Sequence, residues 1–217
     1  MERRIALAQI VMLPGGFSGG DEPEGSGKFI AAALRNPALT EQIRNLLKQR
    51  DGLMLGICNG FQALVKLGLL PYGDITELTN DSPTLTFNSI GRHVSSYVTT
   101  RVVSNRSPWL NLTRDDELYQ IPVSHGEGRF AASPEVLEEL IDNDQIATQY
   151  VDLDGRPSVD TVYNPNGSIS AIEGIISSDG RIFGKMGHSE RYGEYIAKNI
   201  PGNKNQKLFE AGVSWFK

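Results

Sequence analysis

Residues 53–64 read LMLGICNGFQAL and contain Cys58, the only cysteine of the chain. The apolar run 53–57 is typical of a buried parallel strand. Apolar residues then recur at helical spacing, so the cysteine falls on a strand-to-helix turn between Gly56 and Gly60. This pattern is that of a nucleophile elbow with cysteine in the place of serine. The start of a helix also favours the thiolate form of a cysteine placed there.

A lone cysteine is more often a small buried apolar side chain than a nucleophile. The Gly-x-Cys-x-Gly setting after a strand favours the nucleophile. Cysteine hydrolases, chaperone-like proteases and amidotransferases share this setting, so the pattern alone does not name the reaction.

Length and composition limit the number of domains, the partners and the kinds of site that the chain can have. A length of 217 residues suits a single α/β domain spanning 1–217, and a net charge of −5 gives no reason to expect nucleic acid as a partner. No apolar run has the length of a transmembrane helix, so no membrane association is expected. One cysteine excludes an internal disulfide and a cysteine-based zinc site, and no metal site is predicted. A reducing, cytoplasmic compartment is the expected location.

The order of elements predicts an α/β fold with a mostly parallel central sheet. A strand at 5–13 runs into a Gly-rich turn, and a short helix at 28–35 follows. A second helix is capped by Asn36 and has Pro37 at its first position, and the elbow strand comes next. β-Branched segments at 84–87, 94–103 and 118–123 predict an added antiparallel segment.

The remaining segments are a capped helix, a strand, a hairpin, a further helical stretch and a last amphipathic segment. We expect a helix at 134–141, a strand at 146–151, a hairpin of 169–177 with 181–186, a helix from Glu190 to near Pro201, and an amphipathic segment at 206–216.

The thiol needs a base, and the chain has three histidines, His93, His125 and His188. Glu190 lies two residues after His188, and in an extended segment both side chains point the same way. A carboxylate in that place orients one imidazole nitrogen and leaves the other for the thiol. His125 also follows a strand and precedes a Gly-rich loop, so spacing does not exclude it. His93 lies inside a strand pattern and is the weakest candidate.

An acyl-transfer site also needs hydrogen-bond donors for the developing oxyanion. The backbone N–H of Asn59, which follows the nucleophile, is one candidate by elbow geometry. The turn formed by Gly15 and Gly16 after the first strand is the candidate for the second donor.

Three motifs together resemble those of the class I (triad) glutamine amidotransferases, which have a flavodoxin-like fold. They are residues 13–18 (LPGGFS), residues 56–62 (GICNGFQ) and the pair His188-x-Glu190. Residues 124–130 (SHGEGRF), 164–168 (NPNGS) and 186–191 (MGHSER) resemble more narrowly the glutaminase domain of phosphoribosylformylglycinamidine synthase. The likeness extends over nearly the whole chain.

The resemblance implies that Cys58 attacks the side-chain amide of L-glutamine and forms a thioester. His188, oriented by Glu190, takes the thiol proton and protonates the departing ammonia. The backbone of Gly16 and Asn59 holds the oxyanion, and Gln62 positions the substrate. Ammonia then passes to a synthetase domain or subunit, which converts formylglycinamide ribonucleotide to the amidine in purine (IMP) biosynthesis. ATP and Mg²⁺ are expected in that synthetase portion, and no cofactor is expected in this chain.

Two features depart from the family pattern. Ser189 stands where proline is commoner, between the histidine and the glutamate. Only 13 residues precede Pro14, whereas family members carry a strand, a helix and another strand there. We therefore expect either an N-terminally truncated domain that is the C-terminal part of a larger synthetase, or a misplaced start of the sequence.

Two alternatives to an active glutaminase stay open at this point. The first is a catalytically silent fragment or docking module that keeps the motifs but works only against the rest of the enzyme. The second is a cysteine hydrolase or protease of a related elbow fold, against which the motifs at 124–130 and 164–168 argue.

Overall fold

The computed structural model describes residues 1–16 and 27–217. The helices are α1 (Glu2–Leu7), α2 (Lys28–Leu34), α3 (Pro37–Gln49), α4 (Asn59–Leu67), α5 (Leu69–Tyr72), α6 (Pro134–Asp142) and α7 (Leu208–Ser214), with short 3₁₀ turns at Pro108–Leu110 and Ile169–Ala171. The strands are β1 (Ile10–Leu13), β2 (Leu53–Ile57), β3 (Thr84–Thr86), β4 (Val94–Val102), β5 (Leu118–His125), β6 (Arg129–Ala131), β7 (Ile146–Tyr150), β8 (Ile172–Ile176) and β9 (Ile182–Lys185).

Seven strands form one sheet in the order β1-β2-β9-β8-β7-β4-β5, and β3 pairs with β6 in a small antiparallel sheet. The pairings β1–β2 and β2–β9 are parallel, and the other four of the large sheet are antiparallel. The α/β class is confirmed, but the expectation of a mostly parallel sheet is wrong. The hairpin β8–β9 and the segments β4, β5 and β7 continue the same sheet on its antiparallel side, so the sheet is mixed.

The predicted elbow is confirmed. Every residue of β2 is buried, and α4 begins directly after Cys58. Gly56 and Gly60 face each other, because a Cβ added at Gly56 would lie 2.7 Å from the Gly60 carbonyl oxygen. A Cβ at Gly60 would overlap the Leu13 carbonyl of β1. Helix α4 therefore packs on the ends of β1 and β2 with almost no side chain between the backbones.

Local signals elsewhere place helix starts correctly. The side chain of Asn36 accepts a hydrogen bond from the Ala38 N–H at 3.1 Å, with Pro37 as the first helical residue of α3. Ser133 caps α6 in the same way through the Val136 N–H at 3.3 Å. These are N-cap contacts of the ordinary kind, with proline at the first helical position.

Two predicted segments are wrong. Residues 2–7 form α1 rather than the start of a strand, and Arg50 fixes this helix by donating hydrogen bonds to the carbonyls of Ile5, Ala6 and Ala8. Residues 191–200 form successive turns rather than a helix. A positive φ of 51° at Ala197 interrupts any helical path there.

Strand β1 is an end strand of the large sheet in the described part of the chain, and it pairs directly with β2 from Ile10↔Leu53 to Leu13↔Gly56. The parallel register brings the carboxyl ends of β1 and β2 to the same edge. The turn at Gly15 and Gly16 and the turn at Cys58 therefore meet there. No helix in the described residues is long and apolar enough to cross a membrane.

We predict that Gly60→Ala lowers the free energy of unfolding by about 3 kcal/mol, because the new methyl group overlaps backbone rather than a movable side chain. Chemical denaturation measures the change. Gly126→Ala is the matched control, since a Cβ there meets no atom within 4 Å, and it is expected to leave stability nearly unchanged. Equal effects of the two substitutions would contradict this account of the α4 packing.

Candidate active site

Cys58 lies at the carboxyl end of β2 in a backbone conformation that is rare outside glycine, with φ of 52° and ψ of −110°. Its N–H donates to the Lys185 carbonyl at 2.8 Å, and its carbonyl accepts from the Gln62 N–H at 3.0 Å. The residue is 7 % exposed. Backbone strain of this kind is held in place by the surrounding hydrogen bonds and clusters at active sites.

Backbone N–H groups of Asn59 and Gly16 hydrogen-bond the Cys58 sulfur. Burial nevertheless dominates and raises the pKa of the Cys58 thiol to about 11, while these two donors and the charge of Arg191 act in the opposite direction. The Cys58 thiol is therefore neutral near pH 7. The structure brings together both backbone donors that the sequence proposed for the oxyanion.

His188 and Glu190 form a close polar pair in the site. His188 Nδ1 lies 2.6 Å from Glu190 Oε1, and the His188 side chain is 1 % exposed. Burial alone raises the pKa of Glu190, but the hydrogen bond and charge of His188, with smaller contributions from the backbone and Arg191, hold it below its usual value. The carboxylate thus fixes the tautomer with a proton on Nδ1.

The other imidazole nitrogen, His188 Nε2, is buried and has no hydrogen-bond partner among residues 1–16 and 27–217. A Cβ added at Gly15 would lie 2.5 Å from His188 Cε1 and 3.1 Å from Cys58 Cβ. The imidazole and the thiol side chain therefore lie side by side against Gly15, where no larger residue fits. Nε2 is the nitrogen left to accept a proton.

His125 lies beside this pair rather than within it. Its Nδ1 is 3.2 Å from Asn88 Oδ1, and its buried Nε2 has no hydrogen-bond partner in the described chain. Burial, followed by the charges of His93 and His188, lowers the pKa of His125 to about 4. The preceding residue, Ser124, offers its carbonyl to the Cys58 sulfur at 3.8 Å. A neutral imidazole without a carboxylate partner is a poor base but a suitable polar contact for a substrate.

Gln62 has a role that its motif did not reveal. Its side-chain nitrogen donates to the Glu127 carbonyl, so it links α4 to the loop 126–128. This contact supports the loop that carries His125. Whether Gln62 also contacts substrate stays a prediction.

Asn88 was missed at the sequence level. It is 3 % exposed, its Oδ1 accepts from the Gly128 N–H at 3.1 Å, and its Nδ2 donates to the carbonyls of His125 and Arg92 at 2.9 and 3.0 Å. A single asparagine in a loop carries no spacing signal, so only the three-dimensional contacts identify it.

Segments 124–130 and 164–168, two of the motifs that resemble the glutaminase domain, are hydrogen-bonded to each other. Asn166 Nδ2 donates to the Gly128 carbonyl at 2.7 Å, and Ser168 Oγ accepts from the Phe130 N–H at 3.0 Å. Segment 164–168 therefore holds the loop after His125 in place. No group of three metal-ligating side chains occurs in the described residues.

The chain is similar to known proteins over almost its full length. The family described as "CobB/CobQ-like glutamine amidotransferase domain" matches residues 1–216. Curated relatives named "Phosphoribosylformylglycinamidine synthase subunit PurQ" include one from Dehalococcoides mccartyi, 40% identical over 98% of this chain and 81% of its own length. Another, from Salinibacter ruber, is 35% identical over 97% of this chain and 80% of its own length.

A solved structure from Thermotoga maritima, described as the structure of PurLQS, matches with a TM-score of 0.69 and 29% identity over 96% of this chain and 80% of that one. The glutaminase domain of Trypanosoma brucei CTPS matches with a TM-score of 0.50 and 12% identity over 98% of this chain and 74% of that one. The latter likeness concerns the fold alone.

We predict that alkylation of Cys58 by iodoacetamide accelerates about tenfold per pH unit between about pH 7 and pH 10, because the thiolate fraction grows until the pH reaches the thiol pKa of about 11. Mass spectrometry of the modified chain measures the rate, and the single cysteine makes the signal unambiguous. Free N-acetylcysteine serves as the control, and its rate of alkylation is expected to level off at a lower pH. A plateau for the protein below about pH 8 would contradict the raised pKa.

Proposed function

Because the chain belongs to the family of CobB/CobQ-like glutamine amidotransferases, we propose that it is the glutaminase component of phosphoribosylformylglycinamidine synthase. It hydrolyses L-glutamine and supplies ammonia to a synthetase partner. The observation that carries the proposal is the arrangement of Cys58 and His188 against Gly15, with Glu190 bonded to the far nitrogen of the imidazole.

The first half-reaction forms the thioester. His188 Nε2 takes the thiol proton as Cys58 Sγ attacks the carbon of the glutamine side-chain amide, because a thiol with a pKa of about 11 is not ionised in advance. The N–H groups of Gly16 and Asn59 stabilise the oxyanion that develops on the amide oxygen. The protonated His188 then donates its proton to the amide nitrogen, the carbon–nitrogen bond breaks, and ammonia leaves.

The second half-reaction releases glutamate. A water molecule gives a proton to His188 Nε2 and attacks the thioester carbon. The carbon–sulfur bond breaks, and the imidazolium returns its proton to the Cys58 sulfur. Glu190 keeps its negative charge throughout and stabilises the imidazolium in each half-reaction.

His125 is placed to recognise the substrate rather than to transfer a proton. Its unpartnered Nε2 is buried next to the catalytic pair, and its lowered pKa keeps it neutral at pH 7. A neutral imidazole there offers one hydrogen bond to bound glutamine. Gln62 holds the same loop from the side of α4.

The partner follows from the names of the relatives. The curated relatives are subunits of phosphoribosylformylglycinamidine synthase, and the Thermotoga maritima structure is described as PurLQS. We assign ATP, Mg²⁺ and formylglycinamide ribonucleotide to the synthetase partner, which uses the ammonia in purine biosynthesis. We propose the cytoplasm as the compartment in which the chain acts.

We predict that Cys58→Ala lowers glutamate release from glutamine by at least about 10³-fold, since the thioester has no replacement nucleophile. The assay uses the chain alone and with the synthetase partner, ATP and formylglycinamide ribonucleotide. Persistent release by the variant would show that the nucleophile is wrongly assigned. No release by the unaltered chain in either condition would favour the silent docking module instead.

We predict that Glu190→Gln lowers kcat for glutamine hydrolysis about 100-fold or more with a small change in KM, because the amide no longer fixes the imidazole tautomer. His125→Ala is expected to raise KM more than it lowers kcat, and His93→Ala, an exposed histidine, is the control. If Glu190→Gln has no effect and His125→Ala abolishes the activity, the base is His125.

A further inference from the structure

A buried ion pair contacts the residues on both sides of His188. Lys185 Nζ is 3.7 Å from Glu173 Oε2, and both side chains are 0 % exposed. Lys185 is the last residue of β9. Glu173 lies on β8, and its carbonyl accepts a hydrogen bond from the N–H of Met186, the residue after Lys185, at 3.1 Å. Burying two charges without water is costly, so the pair needs further hydrogen bonds to be retained.

Those further hydrogen bonds reach both neighbours of His188. Glu173 Oε1 accepts from the Gly187 N–H at 2.6 Å, while Glu173 Oε2 accepts from Thr148 Oγ1 at 2.5 Å. On the other side, Lys185 Nζ donates to Ser189 Oγ at 2.8 Å. The residue before and the residue after the catalytic base are thus each held by one member of the pair.

Ser189 is fixed from a second direction. Gln206 Oε1 accepts from Lys185 Nζ at 2.6 Å and from Ser189 Oγ at 2.7 Å. All three side chains are buried, with exposures of 0, 1 and 8 % for Lys185, Gln206 and Ser189. The hydroxyl accepts from the ammonium and donates to the amide oxygen, so each of these hydrogen-bonding roles is used once.

The pair is also connected to the nucleophile. The Lys185 carbonyl accepts from the Cys58 N–H at 2.8 Å, and this bond helps to hold the strained turn. Burial lowers the pKa of Lys185, while the negative charges of Glu173 and Glu190 act in the opposite direction. Lys185 therefore hydrogen-bonds both the backbone of Cys58 and the side chain of Ser189, the residue after His188.

We propose that Lys185, Glu173 and Ser189 are positioning residues, which set the placement of the His188 imidazole between Cys58 and Glu190. The proposal rests on the glutaminase function proposed above and deepens it. Neither side chain of the ion pair is the hydrogen-bond partner of the imidazole, so their effect passes through Gly187 and Ser189.

Ser189→Ala tests the proposal with the smallest change. It removes one hydroxyl and is expected to lower kcat for glutamine hydrolysis about tenfold with KM within about twofold. Ser189→Thr keeps the hydroxyl and is expected to restore most of the rate. Ser177→Ala is the matched control, because this serine is also buried and hydrogen-bonds Asp179 at the other end of the same hairpin.

A second measurement does not depend on turnover. Long-range ¹H–¹⁵N spectra of the histidine rings report which nitrogen of His188 carries the proton, and His188→Gln identifies the signals. The unaltered chain and Ser177→Ala are expected to show the Nδ1–H tautomer bonded to Glu190. Ser189→Ala is expected to show a mixture of tautomers.

The paired substitution Glu173→Gln with Lys185→Met removes both charges together and avoids leaving one buried charge unpaired. It is expected to lower kcat at least as much as Ser189→Ala. Unchanged kcat and an unchanged tautomer in Ser189→Ala, or the same losses in Ser177→Ala, would overturn the proposal. A failed glutaminase assay with a shifted tautomer would reject the proposed function but support the positioning role.

Discussion

The backbone contact between α4 and the ends of β1 and β2 is the constraint on which the site depends. Gly60 lies so close to the Leu13 carbonyl that no Cβ fits, and a Cβ at Gly56 would lie 2.7 Å from the Gly60 carbonyl oxygen. The helix therefore starts immediately at the sheet edge, and Cys58 takes up a strained turn with φ of 52°. The same contact brings the end of β1 beside the turn, so that the Gly16 N–H reaches the sulfur.

Around this fixed turn, loops are ordered by buried polar side chains rather than by apolar packing alone. Asn88 and Asn166 each bond the backbone of Gly128, on its N–H and its carbonyl respectively. These contacts satisfy groups that have no strand or helix partner, as burial of a loop requires. The His125 loop is consequently part of the rigid framework, although it has little regular secondary structure.

The sequence predicted those features that are encoded locally. The elbow, the Asn36 and Ser133 caps and the β8–β9 hairpin each depend on a few neighbouring residues, and each is confirmed. The direction of strand pairing depends on distant segments, so the mixed sheet was not predicted. Residues 2–7 form a helix because Arg50 binds their carbonyls from 42 to 45 residues away, a contact that no short pattern reports.

The candidate site shows the same division. Cys58, His188 and Glu190 follow from motif and spacing, whereas Asn88 and the pair Lys185–Glu173 emerge only from the fold. Ser189 looked like a simple departure from the family pattern, and its hydroxyl proves to be fully hydrogen-bonded. Its partners Lys185 and Gln206 lie 4 and 17 residues away in the sequence. The MGHSER motif alone therefore does not predict these hydrogen bonds.

The position of the two backbone donors explains how a neutral buried thiol suits this chemistry. In the resting site the N–H groups of Gly16 and Asn59 face the sulfur, and burial keeps the pKa near 11 in spite of them. In the proposed reaction the sulfur loses its proton to His188 as it bonds to the substrate carbon, and negative charge develops on the neighbouring oxygen. On this proposal, donors on the backbone stabilise the new oxyanion without reorganisation, whereas burial disfavours the free thiolate.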